Sequence, residues 1–312
     1  MSDFIDIKEL ERKIDNTLHY ESRHALYHYT SPEGLLGILK NRKIWFTESS
    51  CLNDESEGKY IYEILKENLE DNNFNRDFVN LVYSWVLDNH LDEERESNYQ
   101  GEKDLYLICS FSTDNDALPL WNYYTKTPSS RGYNIAFSPM KLDFAIRDKW
   151  GDSLLGWYFY QVIYNRKTQN HIVSDLLNLS NQIWENNKRN FVMCENIVQW
   201  LRFTFERIRY GFKHPAFESE KEIRIILRMQ EQVFDSLLIG GEFEDGREMD
   251  IRAMKGIYMP YVQVGFDTKA IRSIMVSPTV KDKAAIDSVS LLLKKYGYYS
   301  CPVYKSQIPL KY

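Results

Sequence analysis

The sequence has few cysteines, no long apolar run, no long basic run and none of the common nucleotide or hydrolase motifs. The four cysteines, Cys51, Cys109, Cys194 and Cys301, show neither Cys-x-x-Cys spacing nor a nearby histidine ligand pattern. That argues against a structural zinc site and for a reducing compartment. No stretch approaches the roughly 18 apolar residues of a membrane span, and the first residues, Met-Ser-Asp-Phe-Ile-Asp, carry no basic segment followed by an apolar run. Neither a signal peptide nor a membrane partner is expected, and the cytoplasm is the expected location. The net charge is −6 and the pI about 5.6, so an extended phosphate-gripping surface is not expected, although a local basic patch is compatible with these values. Gly-x-Gly-x-x-Gly, a Gly-rich Lys-Ser/Thr loop, Gly-x-Ser-x-Gly and His-Glu-x-x-His are all missing. Dinucleotide oxidoreduction, P-loop phosphoryl transfer, elbow-type serine hydrolysis and zincin chemistry lose ground with them.

What is present is a chain of 312 residues, 43% hydrophobic, with 22 Tyr, 16 Phe and seven Trp. It is long enough for one large domain or two small ones and can bury a sizeable core. Ile7, Leu10, Ile14 and Leu18 recur at helical spacing and predict an amphipathic amino-terminal helix, followed by a short strand over 25–29. Ser31-Pro32-Glu33 reads as a helix start, with Ser31 as cap, Pro32 at the first helical position and Glu33 near the positive dipole end. Residues 44–47 read as a second strand, 49–56 as a loop, 57–70 and 74–89 as helices, and the polar run 88–103 as a linker. The nearly all-apolar stretch 105–111 predicts a central strand. Beyond it come a short helix within 116–124, a turn over 129–132, strands at 133–137 and 158–164, and two helices between 171 and 212. Strands at 217–227, 233–239, 271–276 and 299–304 and a helix over 281–296 complete the pattern. Strands and helices without regular βαβ alternation argue for α+β, read as a single domain with helical insertions.

In the stretch from Phe217 to Leu227, a period of two places Glu220, Glu222 and Arg224 on one face and Lys221, Ile223, Ile225 and Leu227 on the other. Carboxylates about 7 Å apart on one strand face repel unless a positive charge lies beside them, and Arg224 supplies one. The row is either an exposed, charge-striped strand or a carboxylate at the wall of a cleft, with Glu222 the better candidate. His28 stands between aromatics just before a capped helix, where free backbone N–H groups point outward; it is a structural hydrogen-bonded histidine or part of a cleft rim with Tyr29 and Thr30. Asn53-Asp54 with Glu57 caps a helix or orders a loop over a ligand. Ser110 and Ser112 end an apolar strand, as turn residues or as hydroxyls for a ligand. Trp121 and Tyr124 share a helical face, as core or as a stacking pair.

Several of these blocks together resemble a bacterial domain-of-unknown-function family, number 2971. They are Leu26-Tyr27-His28-Tyr29-Thr30-Ser31 with Ile44-Trp45-Phe46; Leu52-Asn53-Asp54 with Glu57; Cys109-Ser110-Phe111-Ser112 with Leu120-Trp121, Tyr124, Gly132 and Phe137; Glu220-Lys221-Glu222-Ile223-Arg224; and Ser306-Gln307-Ile308-Pro309. That family in turn resembles ADP-ribosyltransferases: the opening block is similar to the His-x-Thr segment of DNA-modifying toxins and tRNA phosphotransferase-like enzymes, and the Glu-x-Glu pair to the acidic strand of the transferases. The resemblance implies one domain over 1–312, with an amino-terminal helix in 1–24 and helical insertions at 57–103 and 166–213, around a split, mainly antiparallel β core that grips NAD in a bent form. It implies NAD as substrate, no metal, and catalytic roles for Glu222, Glu220 and His28. Glu222 would stabilise an oxocarbenium-like ribosyl cation, Glu220 would orient or deprotonate the acceptor, and His28 would hold the adenosine ribose. NAD contacts are expected from His28, Tyr29, Thr30, Trp45, Asn53, Ser110, Ser112, Trp121, Tyr124 and Arg224, with Tyr29, Trp45, Ser110, Ser112 and Tyr124 competing for the middle position between His28 and Glu222. The acceptor expected is a nucleic-acid base, single-stranded RNA or DNA, as for a toxin or phage-defence effector with an antitoxin or regulatory partner. Modification of a protein, hydrolysis of NAD, and a non-catalytic nucleotide- or protein-binding module remain alternatives. A metal-dependent nuclease is disfavoured, since the acidic residues that could serve it are Asp54, Glu57 and the 220–222 pair.

Overall fold

Apolar residues at every second position of most strands build a ten-stranded sheet whose one face is the main core. A computed structural model of the protein describes residues 2–21, 23–52, 58–71, 73–87, 104–124, 132–239, 249–254, 256–280 and 282–309. The chain forms two compact units. One combines Met1–His19, Leu52–Gly101 and Tyr160–Glu218; the other combines Tyr20–Cys51, Glu102–Phe159 and Ser219–Tyr312.

The first unit is helical: α1 (Ser2–Leu18), α3 (Tyr60–Asp71), α4 (Arg76–Val82) with a π turn to Leu87, α7 (Arg166–Asn186) and α8 (Phe191–Ile208). Asn165 and Asn190 cap the last two by accepting backbone N–H bonds. Tyr62 donates to Glu206 at 2.9 Å, Trp200 to Glu11 at 2.8 Å, and Arg207 pairs with Asp15. A β-carbon on Gly211 would stand 2.3 Å from Leu18, so this close approach requires glycine.

The second unit holds the strands β1 (Leu26–Thr30), β2 (Lys43–Glu48), β3 (Asp104–Ser112), β4 (Tyr133–Phe137), β5 (Gly156–Gln161, up to Phe159), β6 (Glu222–Gln230), β7 (Met249–Met254), β8 (Ile257–Gly265), β9 (Ile271–Val276) and β10 (Val303–Lys305). Its helices are α2 (Pro32–Asn41), α5 (Leu118–Tyr124), α6 (Pro139–Trp150), α9 (Glu231–Leu238) and α10 (Lys283–Lys295). The strand order is β10-β9-β4-β1-β3-β2-β8-β7, with β6 on β3 and β5 on β6. Only β9–β10 is parallel among the ladders with described register. The class is α+β with a mostly antiparallel sheet, and β3 is central as its apolar run predicts. Leu35, Leu39, Leu142, Ile146, Trp150, Phe234, Leu237, Val289 and Leu293 of the helices pack with the sheet's inner face in one core.

Three expectations are corrected. Of the strand expected over 233–239, residues 233–238 lie in α9, because Val233, Phe234 and Leu237 sit at helical spacing and a short apolar run does not by itself choose between the two periods. The strand expected from Phe217 starts only at Glu222, since Pro215–Glu220 is a 3-10 turn and Lys221 has φ 44°. The hairpin β7–β8, turning at Gly256 with φ 86°, was not expected at all. The turn expected over 129–132 and the linker over 88–103 lie largely or wholly outside the described residues.

Candidate functional site

At the start of β6 the side chains split as the alternation predicts. Ile223, Ile225 and Leu227 enter the core, and Glu222 and Arg224 face the other side. Both are buried, Glu222 at 6% exposure and Arg224 at 0%. Arg224 Nε and Nη2 donate to Glu222 Oε1 and Oε2, each at 2.9 Å, a two-pronged ion pair. The exposed-stripe reading of this strand therefore does not hold.

Glu220 stands apart from that row because the left-handed Lys221 breaks the alternation between them. Its carboxylate accepts from Tyr124 Oη at 3.3 Å, and its carbonyl accepts from Ser112 Oγ at 2.7 Å. Lys221 pairs with Asp114 at 3.0 Å. Ser112 and Ser110 sit opposite Glu222 and Arg224 in the β3–β6 register. Two carboxylates, a phenol and a serine are thus assembled at one end of β3 and β6.

The other edge of β3 forks. Ser112 pairs with Tyr27 of β1, whereas Ile108 and Leu107 pair with Thr47 and Glu48 of β2. Ser110 falls between the two partners. His28 fills that gap, with Nδ1 3.1 Å from the Ser110 carbonyl oxygen. A carbonyl only accepts, so Nδ1 carries the proton and, in the neutral ring, Nε2 is left as an acceptor. Burial lowers the His28 pKa; the Ser110 bond opposes this and the charge of Arg252 adds to it. By alternation from Tyr27, His28 belongs to the side opposite Glu222, yet its ring lies at the fork beside Ser110. No described hydrogen bond joins His28 to Glu222.

The cap beyond β1 forms as its residues predict: Ser31 Oγ accepts from Gly34 N at 3.1 Å, with Pro32 in the first turn. Thr30 lies against this turn, since a β-carbon on Gly34 would meet its Oγ1 at 2.1 Å. Tyr29 donates to the Asp114 carbonyl at 2.8 Å and accepts from Ala117 N at 3.0 Å, and burial pushes its phenol pKa up. It meets Trp121 edge-on at 4.8 Å between centroids. Trp121 is buried and donates Nε1 to Asp116, which also accepts from Ser306 Oγ and Gln307 N. The Ser306-Gln307 motif therefore ties the closing segment to α5. Tyr124 is exposed, and Asn53 lies outside the described residues, with Asp54 and Glu57.

Trp45 stands elsewhere on the sheet, in a group that sequence reasoning missed. It packs on Tyr261 with centroids 4.4 Å apart, and the Arg252 guanidinium lies over both rings at 5.4 and 5.9 Å. Arg252 Nη2 donates to Thr47 Oγ1 at 2.8 Å. The register places these four side chains on the same side of the sheet as Arg224 and Glu222. The signal was the alternation of Asp250 and Arg252 before Gly256 and of Met259 and Tyr261 after it; Pro260 disguised the second strand. Pro260 is tolerated there because the pairing of β8 with β2 covers residues 261–265 and stops before it.

Residues 120–225, roughly a third of the chain, match the model of a family described as a protein of unknown function (DUF2971). No curated protein and no solved structure matches the chain. The matched segment includes Trp121, Tyr124, Glu220, Glu222 and Arg224. Among the described residues, no helix is long and apolar enough to cross a membrane.

Proposed function

We propose that the protein is an NAD-dependent ADP-ribosyltransferase that modifies a single-stranded nucleic acid, acting as a toxin or phage-defence effector. The observation that carries this reading is the buried Glu222, whose two oxygens are held by Arg224 beside Glu220, Tyr124 and Ser112. Breaking the nicotinamide–ribose C–N bond sends the bonding electrons out with nicotinamide, whose ring already carries a positive charge, so no general acid is needed. A fixed carboxylate stabilises the cation that forms at the ribose carbon, and it does so best where water is excluded. The charge of Arg224 keeps Glu222 available as an anion. An acceptor nitrogen or oxygen then bonds to that carbon and loses its proton to Glu220. The neutral His28 ring presents Nε2 as an acceptor for a ribose hydroxyl.

A second reading has its own support. Because both oxygens of Glu222 are engaged by Arg224, the same pair also suits a non-catalytic nucleotide-binding module on the same fold. Incubation with NAD labelled in its adenylate half, plus RNA, DNA and cell protein, separates the outcomes. Label in the nucleic-acid fraction supports the transferase, and label in protein changes the acceptor class. Free ADP-ribose alone means hydrolysis. Intact NAD in every arm leaves the binding module.

A further inference from the structure

Among the described residues, Arg252 is a cation with no ion-pair partner. A guanidinium has five N–H donors, and the hydrogen bond described for Arg252 uses only one, Nη2 to Thr47. Its Nε is buried with no hydrogen-bond partner, and among the described residues no carboxylate pairs with it. Asp250, two residues away on the same strand face, is turned elsewhere and accepts from Tyr261 Oη at 3.0 Å and Ile251 N at 2.7 Å. A buried donor left unmet is unfavourable, and attraction to the Trp45 and Tyr261 rings offsets only part of that. An oxyanion would meet the remaining donors and the charge together.

The surroundings say what else that ligand carries. Trp45 is 39% exposed while its partner Tyr261 is 4% exposed, so the indole is the ring of the pair that a ligand can reach. The planar guanidinium of a fixed arginine grips two oxygens of a carboxylate or phosphate through two parallel bonds. An oxyanion beside a stacking ring corresponds to the phosphate and base of a nucleotide.

We infer that Arg252, Thr47, Trp45 and Tyr261 form a binding site for a nucleoside phosphate, with the phosphate on Arg252 and the base on Trp45. The site needs no bond to be broken, so it stands whether or not the protein transfers ADP-ribose. It also has room to work with Glu222. Thr47 and Glu222 are two strands and four residues of register apart, roughly 16 Å between backbones at ordinary strand spacings. A dinucleotide reaches across such a gap and a mononucleotide does not.

The test is calorimetric titration of the full chain with AMP, adenosine, inorganic phosphate and a short single-stranded oligonucleotide, repeated on Arg252→Gln, Arg252→Lys and Trp45→Leu. The wild type binds AMP, and binds adenosine about tenfold or more weakly, the scale of one lost charge-assisted contact. Arg252→Gln removes that difference while keeping the melting temperature, because the side chain it replaces is incompletely bonded. Arg252→Lys keeps part of the difference, and Trp45→Leu weakens AMP and adenosine alike. Equal binding of AMP and adenosine, or their difference surviving in Arg252→Gln, overturns the inference. So does phosphate alone binding as tightly as AMP, or an oligonucleotide that binds more tightly than any mononucleotide and loses that binding in Arg252→Gln. AMP binding without NAD cleavage removes the transferase reading and leaves this site; NAD cleavage without AMP binding does the reverse.

Discussion

Replacing Arg224 by methionine removes the positive charge that meets both oxygens of Glu222 at 2.9 Å. Methionine fills much of the same volume, so the loss is electrostatic rather than a cavity. Glu222 is 6% exposed and cannot turn to water. Leaving one partner of a buried pair uncompensated costs about 3–5 kcal/mol. At about 2 °C per kcal/mol for a chain of this size, the melting temperature should fall by roughly 6–10 °C at pH 7.5, read by circular dichroism. Acidification should recover part of the loss. An unpaired buried carboxyl has its pKa raised, so its stabilising protonated form is present at low pH and is lost as pH rises. The double variant Glu222→Leu with Arg224→Met should melt closer to wild type than Arg224→Met does, because no charge is then buried alone. A melting temperature within about 2 °C of wild type for Arg224→Met would show that the pair is not holding this end of β6, and the argument for Glu222 would go with it.

Gly34→Ala should destabilise the β1–α2 junction, since the new methyl stands 2.1 Å from Thr30 Oγ1, and Ser31→Ala should cost about 1 kcal/mol through the lost cap; unchanged denaturation midpoints would refute both. The lowered His28 pKa means the folded protein binds fewer protons than the unfolded chain below pH 6.5, so its contribution is full above that value and fades as pH falls. His28→Gln should therefore flatten the stability profile below about pH 6.5, and superimposable profiles would count against it. Burial raises the Cys51, Cys109 and Cys194 thiols and pushes Cys301 up to about 11. All four should react slowly with a disulfide reagent at pH 7.5 until the protein is unfolded; one fast thiol in the native state would contradict this.

The parts of the fold set by local rules were legible in the residues. Ser31-Pro32 starts α2, the apolar run at 105–111 lies in the central strand, and Ile223, Ile225 and Leu227 mark the core face of β6. What was not legible depends on partners far away in sequence. Glu220 leaves the strand row because a single left-handed residue, Lys221, intervenes, and nothing in the alternation signals that. Val233 to Ile239 carries β-branched and apolar residues but forms a helix whose Phe234 and Leu237 meet the core. The fork at β3, which gives His28 the Ser110 carbonyl, exists only once β1 and β2 have both paired. Arg252 was passed over because its neighbours Trp45 and Thr47 lie some two hundred residues earlier, across two strand pairings.

The most direct measurement is release of nicotinamide from NAD by the purified protein, with and without RNA, DNA or lysate, alongside Glu222→Gln and a melting curve for each protein. The account predicts release that depends on a nucleic-acid acceptor and disappears in Glu222→Gln at temperatures where the variant remains folded. Release that persists undiminished in folded Glu222→Gln, or no release with any acceptor, would contradict it.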